Sequence, residues 1–394
     1  MLRYKGCKKT VKNFVTLDLN IGHLQKQTPH IEVFASLVLN ALFNSHNNYK
    51  RFNYPLLLVI FYIGDLKKYL VIQTASIGDV ILATPVIEKL HSHFPDAQID
   101  MLLKKGNESL FKEHPFLHKI LVWDKKTDKY KNFRKLLHII RDTHYEAVIN
   151  LQRFASTGFL TINSGAKQKI GFNKNPFSLL FTKRVKHTIR EGSRHETERN
   201  LDLVRSFTDE NPSPIKLYPT AANLAKMSQY KTVKYITISP ASLWFTKQYP
   251  KEKWIDFLRK SDAGIQVYFL GAANDTVLCD KIIKGSGHGN SLNLSGKLSL
   301  LESAALMKDA AMNYMNDSAP LHLASSVNAK TTAIFCSTVT NFGFGPLSDD
   351  SVVIETKEEL DCRPCGLHGL KNCPKKHFKC ASTIETQELL NRII

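Results

Sequence analysis

The sequence predicts an α/β protein built of two doubly wound halves with a cleft between them. Three observations carry this. Short apolar runs suited to parallel strands alternate with helical stretches from Lys68 onward; the alternation restarts after a proline-rich break; and the polar residues with chemical potential fall just after strands. At 394 residues the chain is long enough for two domains, each with its own core.

Residues 1–66 stand apart, with no persistent helical or strand period, and read as a dispensable extension of the kind a wrongly assigned translation start would add. Their apolar run "YPLLLVIFYIG" at 54–64 is far shorter than the roughly 20 residues a spanning helix needs, so it reads as an interfacial element or a buried strand. The first α/β domain is expected over 67–215. It opens on "YLVIQ", a continuous apolar run of the type covered on both faces, followed by a helix over 79–94, "DVILATPVIEKLHSHF". Next come strands "AQIDMLLKK" and "HKILVWD", helix "YKNFRKLLHIIRD" and strand "YEAVINLQ". The stretch "TDENPSPIKLYPTAAN" at 208–223 reads as a linker, because its three prolines interrupt any regular element. The second domain, 216–394, repeats the pattern: strand "KYITISP", helix "KEKWIDFLRK", strand "IQVYFLG", helix "SLLESAALMKDA", strand "AMNYMN", helix "APLHLASSVN" and strand "KTTAIFC".

The apolar and charged fractions, 43% and 23%, are those of a globular chain and exclude general disorder. The net charge of +19 favours an anionic partner: a phosphate-bearing small molecule, nucleic acid or an acidic membrane surface. The basic residues are spread out, and the local run "KKTDKYKNFRK" at 125–135 reads as a solvated helix face rather than a nucleic-acid arm. No signal peptide opens the chain, because its first 20 residues lack an apolar core. That favours the cytoplasm, where thiols stay reduced; three of the seven cysteines, Cys7, Cys279 and Cys336, are isolated in sequence.

Four post-strand sites stand out. "TASIGDV" offers Ser76, Gly78 and Asp79; an acid repels phosphate, so Asp79 suits a base, with a helix cap as the competing reading. "PASLWFTKQYPKEKW" places Lys247 ahead of a helix, where it either holds a diphosphate or is solvated. "AANDTV" supplies Asp275 for ribose hydroxyls. "NDSAPLHLASS" opens a helix at Asp317, Ser318 and Ala319, with His322 one turn on; the free N–H groups there suit an anion, and a capped helix with a satisfied histidine is the alternative.

"LVIQTASIGDVILATPVIEKLHSHFPDAQID", followed by "KQKIGF", "HETERNLDLV", "TKQYPKEKW" and "NDSAPLHLASSVNAKTTAIFCST" in that order, resembles the heptosyltransferases of glycosyltransferase family 9. The resemblance spans about residues 67–390. It implies a GT-B fold of two facing Rossmann-like domains, with the acceptor on the first and an ADP-sugar on the second, and an inverting displacement that needs neither metal nor other cofactor. It implies Asp79 as the catalytic base, Lys247 as the cation on the donor diphosphate, and Asp317, Ser318, Ala319 and His322 as the donor turn, with Asp275 near the ribose. Ser76, Gly78, Gln152 and Arg153 are the acceptor-side candidates. Two departures stand out: Ala319 replaces the glycine of many relatives, and "PASLWFTKQYP" lacks the paired threonines of some, leaving Ser242 and Thr246 as substitutes.

The reaction so implied is transfer of heptose from ADP-heptose to a lipid A–core acceptor of lipopolysaccharide, with the positive charge also serving peripheral contact with an anionic inner membrane. A related transferase using another nucleotide sugar is the alternative. A nucleic-acid binder would explain the charge, but aromatic-plus-basic motifs are missing, and a dehydrogenase would need a G-x-G-x-x-G that "TASIGD" does not supply. Four cysteines, Cys362, Cys365, Cys373 and Cys380, are spaced C-x2-C-x7-C-x6-C with His368 and His377 interleaved. A structural zinc is the metal they would suit, although C-x7-C is not a usual finger spacing and catalysis does not require one.

Overall fold

The computed structural model describes residues 66–189 and 194–393. The extension over 1–66, with its apolar run and Cys7, therefore lies outside the described residues apart from Leu66.

Among the described residues twelve parallel strands form two sheets of six. The first holds β1 (Lys68–Gln73), β2 (Gln98–Lys104), β3 (Lys119–Trp123), β4 (Ala147–Asn150), β5 (Gln168–Phe172) and β6 (Lys183–Val185) in the order β3-β2-β1-β4-β5-β6. The second holds β7 (Tyr235–Ser239), β8 (Gln266–Phe269), β9 (Ser291–Asn293), β10 (Met312–Asn316), β11 (Thr331–Phe335) and β12 (Ser351–Glu355) in the order β12-β11-β10-β7-β8-β9. Counted from its own first strand, the second sheet repeats the order of the first. Each is doubly wound, with one switch point where the winding reverses, between β1 and β4 and between β7 and β10. The central strands are buried on both faces, which is why they read as unbroken apolar runs.

The helix expected over 79–94 is two: α1 (Ile77–Ile81) and α2 (Thr84–His93). Pro85 has no N–H for the Ile81 carbonyl, and the Thr84 hydroxyl takes that carbonyl instead at 2.8 Å. The break turns α1 into a separate short element at the mouth of the cleft. Also in the first half are α3 (Lys129–Thr143), α4 (Ala155–Ile162) and α5 (Glu196–Leu201). The expected linker ends three residues early, because Thr220 caps α6 (Ala221–Met227): the Asn223 N–H donates to its hydroxyl at 3.2 Å, and the Thr220 N–H donates to Asn223 Oδ1 at 2.9 Å. The second half adds α7 (Lys251–Lys260), α8 (Thr276–Ser286), α9 (Leu300–Lys308) and α10 (Ala319–Ser325), and the tail ends in α11 (Lys379–Ser382) and α12 (Thr386–Leu390).

A continuous apolar cluster runs from Val71, Val80 and Ile87 through Leu203 and Leu217 to Leu301, Leu321 and Phe335, so the two halves share buried surface. They meet most closely where α1 lies against α10. A Cβ on Gly78 would come within 3.0 Å of His322 Cδ2, so at this contact the carboxyl-edge turns of the two sheets face each other. Among the described residues no helix is long and apolar enough to cross a membrane.

Candidate active site

On the first half the turn after β1 is held from three neighbouring loops. Asn107 donates its amide to the Ala75 carbonyl at 3.1 Å, the Lys125 ammonium donates to the Thr74 hydroxyl at 3.1 Å, and the Gln152 amide donates to Gln73 Oε1. Asp79 sits in the first turn of α1, half-buried. Its Oδ2 accepts both the Ser76 N–H at 3.2 Å and the Ser76 O–H at 2.5 Å, leaving Oδ1 without a partner among the described residues. The helix-cap reading is thus physically present, but it occupies one carboxylate oxygen. Of the other acceptor-side candidates, Ser76 is exposed and Gly78 is buried beneath His322. Gln152 is buried, with Oε1 unpartnered among the described residues, and Arg153 projects over the Phe154 ring, 6.0 Å from its centroid.

On the second half Lys247 lies in a single 3-10 turn, Phe245–Lys247, and forms a 2.6 Å ion pair with Asp317 Oδ2. The Thr338 hydroxyl donates to the same oxygen at 2.6 Å. Both charged side chains are largely buried, 14% and 8% exposed, so the pair is a fixed unit. Ser318 precedes α10, but its hydroxyl turns back to the Asn316 carbonyl at 3.3 Å and does not cap the helix. The Ala319 N–H at the start of α10 is therefore not spent on that side chain, and Pro320 has no N–H to satisfy.

His322 stands between these two walls. Burial, reinforced by His195 and Lys247, pushes its pKa down to about 3, so the ring is neutral, and Nδ1 has no partner among the described residues. Burial likewise lowers His195, whose Nε2 donates to the Gly345 carbonyl at 3.1 Å while Nδ1 accepts the Thr197 N–H at 3.2 Å. Those two bonds fix its tautomer and cap α5.

The remaining donor-side candidates are placed differently. Asp275 accepts the Ala272 N–H at 2.7 Å and shapes its own turn, half-exposed at the carboxyl edge next to β7. Ser242, also half-buried, accepts the Gln248 amide on its carbonyl at 2.7 Å. Thr246 lies against the cysteine-rich tail. It is buried, accepts the Leu370 N–H at 2.8 Å and the Ser337 O–H at 3.0 Å, and donates its N–H to the Leu370 carbonyl at 3.1 Å. These bonds fasten the cysteine-rich tail.

That tail forms the wall behind Lys247. Gly369 has φ +77°, and a Cβ there would come within 2.8 Å of Lys247 Cγ. Arg363 anchors the segment by donating to the carbonyls of Cys336 and Thr338, each at 2.8 Å, and the Cys365 N–H reaches the Ser337 carbonyl at 2.8 Å. Cys362 Sγ lies 3.8 Å from His377 Nε2, and the Cys365 thiol points to the Cys362 carbonyl. Burial pushes Cys380 up to about 12, with the neighbouring thiols adding to the shift. Among the described residues no group of three or more His, Cys, Asp or Glu side chains is arranged to hold a metal. The segment is bonded to Thr246 through the Leu370 backbone and lies against the Lys247 side chain at Gly369.

Sequence reading missed Thr338 and Gly369. The post-strand rule that found Asp317 extends to Thr338, because β11 is the neighbour of β10 and ends just before it. Nothing local marks Gly369, whose role depends on a contact more than a hundred residues distant.

Residues 133–370 match the family described as glycosyltransferase family 9 (heptosyltransferase). Lipopolysaccharide heptosyltransferase 3 of Escherichia coli K12 is 27% identical over 278 residues, 66% of this chain and 80% of that protein. Lipopolysaccharide heptosyltransferase 1 of Campylobacter coli is 24% identical over 345 residues, 83% and 98% of the two chains. The crystal structure of a family 9 glycosyltransferase from Veillonella parvula superposes with a TM-score of 0.70 at 20% identity, covering 83% of this chain and 96% of the other, which is a likeness of fold. The match covers more than half of the sequence, and the chain belongs to glycosyltransferase family 9.

Proposed function

We propose that this enzyme is an inverting glycosyltransferase that moves heptose from ADP-heptose to the lipid A–core acceptor of lipopolysaccharide. The observation that carries the reading is the contact of α1 with α10, which sets a carboxylate with one free oxygen opposite a buried cation and a helix start. The names of the relatives, lipopolysaccharide heptosyltransferases, supply the sugar and the acceptor class.

In this reading Asp79 Oδ1 takes the proton from the acceptor hydroxyl as that oxygen attacks the anomeric carbon, and the bond to the β-phosphate oxygen breaks with inversion. Negative charge grows on the departing ADP. Lys247 and the free N–H groups at Ser318–Ala319 meet it, and fixed donors of this kind lower the barrier without reorganisation. Asp317 acts on the reaction through Lys247: its carboxylate holds the ammonium in place, and a phosphate would be repelled by it. Neutral His322 lines the junction, Asp275 and Ser242 face the nucleoside side, and Ser76, Gly78, Gln152 and Arg153 shape the acceptor wall. The enzyme works at the cytoplasmic side, in peripheral contact with an anionic membrane that holds its acceptor.

The test is mass spectrometry of a heptose-deficient lipopolysaccharide incubated with ADP-heptose, with UDP- and GDP-sugars as controls. A gain of one heptose that requires Asp79 supports the assignment. Transfer only from another nucleotide sugar overturns the donor and keeps the glycosyl-transfer reading.

A further inference from the structure

The carboxyl-edge loops of the first sheet carry a surface that the transfer chemistry does not use. Tyr130 at the start of α3 is 80% exposed, Phe154 before α4 is 51% exposed, and Leu179 and Leu180 in the turn after β5 are 78% and 63% exposed. These side chains cap one ridge. Ring contacts run from Trp123 to Phe133 at 5.4 Å, from Phe133 to Phe159 at 5.8 Å and from Phe159 to Phe177 at 6.2 Å, tying α3, α4 and the turn together. Phe154 follows directly on Gln152 and Arg153, so the ridge adjoins the acceptor side of the switch point.

The charge around the ridge has one sign. Residues 151–189 contain seven Lys or Arg and no Asp or Glu, and Asp128 is the one acid in 125–141. Lys129, Lys131, Arg134, Arg153 and Lys174 are exposed and form no ion pair among the described residues, whereas Lys105 and Lys167 nearby are paired with Asp124 and Glu146. Lys129 and Arg153 lie 5.8 and 6.0 Å from the rings of Tyr130 and Phe154, an apolar body beside a cationic head.

We infer that this ridge docks on an anionic lipid surface, with Phe154, Leu179, Leu180 and Tyr130 entering the headgroup boundary and the flanking cations meeting lipid phosphates. The inference rests on the lipid-anchored acceptor proposed above and names the surface that brings the cleft to it. Exposed leucines find no partner on a polynucleotide, and a second copy of this face would set uncompensated cations against each other. Anionic lipid answers both features at once.

The experiment uses the full-length protein and vesicles of phosphatidylcholine, with and without phosphatidylglycerol. The wild type is expected to co-sediment with the anionic vesicles only, and the double variant Leu179→Asp, Leu180→Asp to bind them at least about tenfold more weakly. Both leucines are exposed, and unchanged thermal melting checks that the fold is intact. Transfer to a deacylated, water-soluble acceptor stays unchanged in the variant, whereas transfer to a vesicle-embedded acceptor falls. Equal vesicle binding by variant and wild type overturns the docking surface, as does wild-type binding to single-stranded nucleic acid that anionic vesicles do not compete. Vesicle binding without transfer to the soluble acceptor leaves the docking surface standing and overturns the proposed reaction.

Discussion

Asp79 follows β1 and Asp317 follows β10, strands that each border the switch point of their own sheet, yet the two carboxylates meet opposite electrostatic surroundings. Asp79 is held by a serine on one oxygen and faces no cation within ion-pair distance among the described residues. Asp317 is clamped between the Lys247 ammonium and the Thr338 hydroxyl and is largely buried. An acid after a strand is therefore one sequence signal with two uses. One carboxylate keeps an oxygen free, as the proposed base requires; the other spends its charge fixing a lysine.

The largest effect expected from breaking this contrast is at Asp79. Asp79→Asn keeps an acceptor for Ser76, so thermal stability should stay within about 1 kcal/mol, while kcat falls about 100- to 10,000-fold. A variant with near-normal kcat would mean that the cap is the whole role of this residue.

Lys247→Ala comes next. It leaves a buried carboxylate without its counter-ion, so unfolding should become easier by about 3 kcal/mol and the KM for the donor should rise. Adding Asp317→Asn should recover much of the stability and none of the activity, separating the two roles by denaturant unfolding and steady-state kinetics.

A smaller change sharpens the comparison through the tail. Gly369→Ala places a methyl against Lys247 Cγ in a backbone conformation that costs about 1–2 kcal/mol for alanine. Donor KM should rise with kcat less affected. Gly78→Ala is its counterpart on the other wall, since the imidazole of His322 must yield by a few tenths of an ångström; a loss of about 1 kcal/mol in thermal unfolding is expected.

Near neutral pH the smallest effect is that of the buried histidines, and it grows as pH falls. His322 has its folded pKa depressed to about 3, well below the ordinary histidine value of 6.5. The unfolded chain therefore binds a proton that the folded chain refuses as pH drops below 6.5, and stability falls progressively toward pH 3. His114, lowered to about 4 chiefly by burial, adds to the same slope. His322→Gln should flatten that slope in part, measured as Tm against pH, leaving the contribution of His114.

Much of the fold is legible because a strand covered on both faces must be apolar throughout. "YLVIQ", "YITIS" and "TAIF" have no other ready interpretation, and helix 251–260 matches its sequence reading from end to end. The elements that escaped are short or poorly patterned: β6 and β9 have three residues each, and α1 separates from α2 only because Pro85 leaves the Ile81 carbonyl to a threonine hydroxyl. The site divides the same way. Asp79, Lys247, Asp317 and His322 follow strands that flank switch points, so position along the chain was enough to flag them. Sequence offered Thr246 as a substitute for a donor-side threonine, and only the tertiary structure shows its hydroxyl bonded to Ser337 and to Leu370 of the tail.

The sequence by itself determined the two βα series, the order of the motifs and the family, because periodicity and motif spacing are properties of neighbours along the chain. What tertiary structure decided is which charges meet. Lys247 and Asp317 lie 70 positions apart, and nothing along the chain marks Asp317 as the partner of that lysine until the ion pair closes at 2.6 Å. Desolvation of His322 likewise depends on α1, α10 and the loop of His195 converging on one spot. Burial and Coulomb energy are functions of distance in space, and no local pattern encodes that distance.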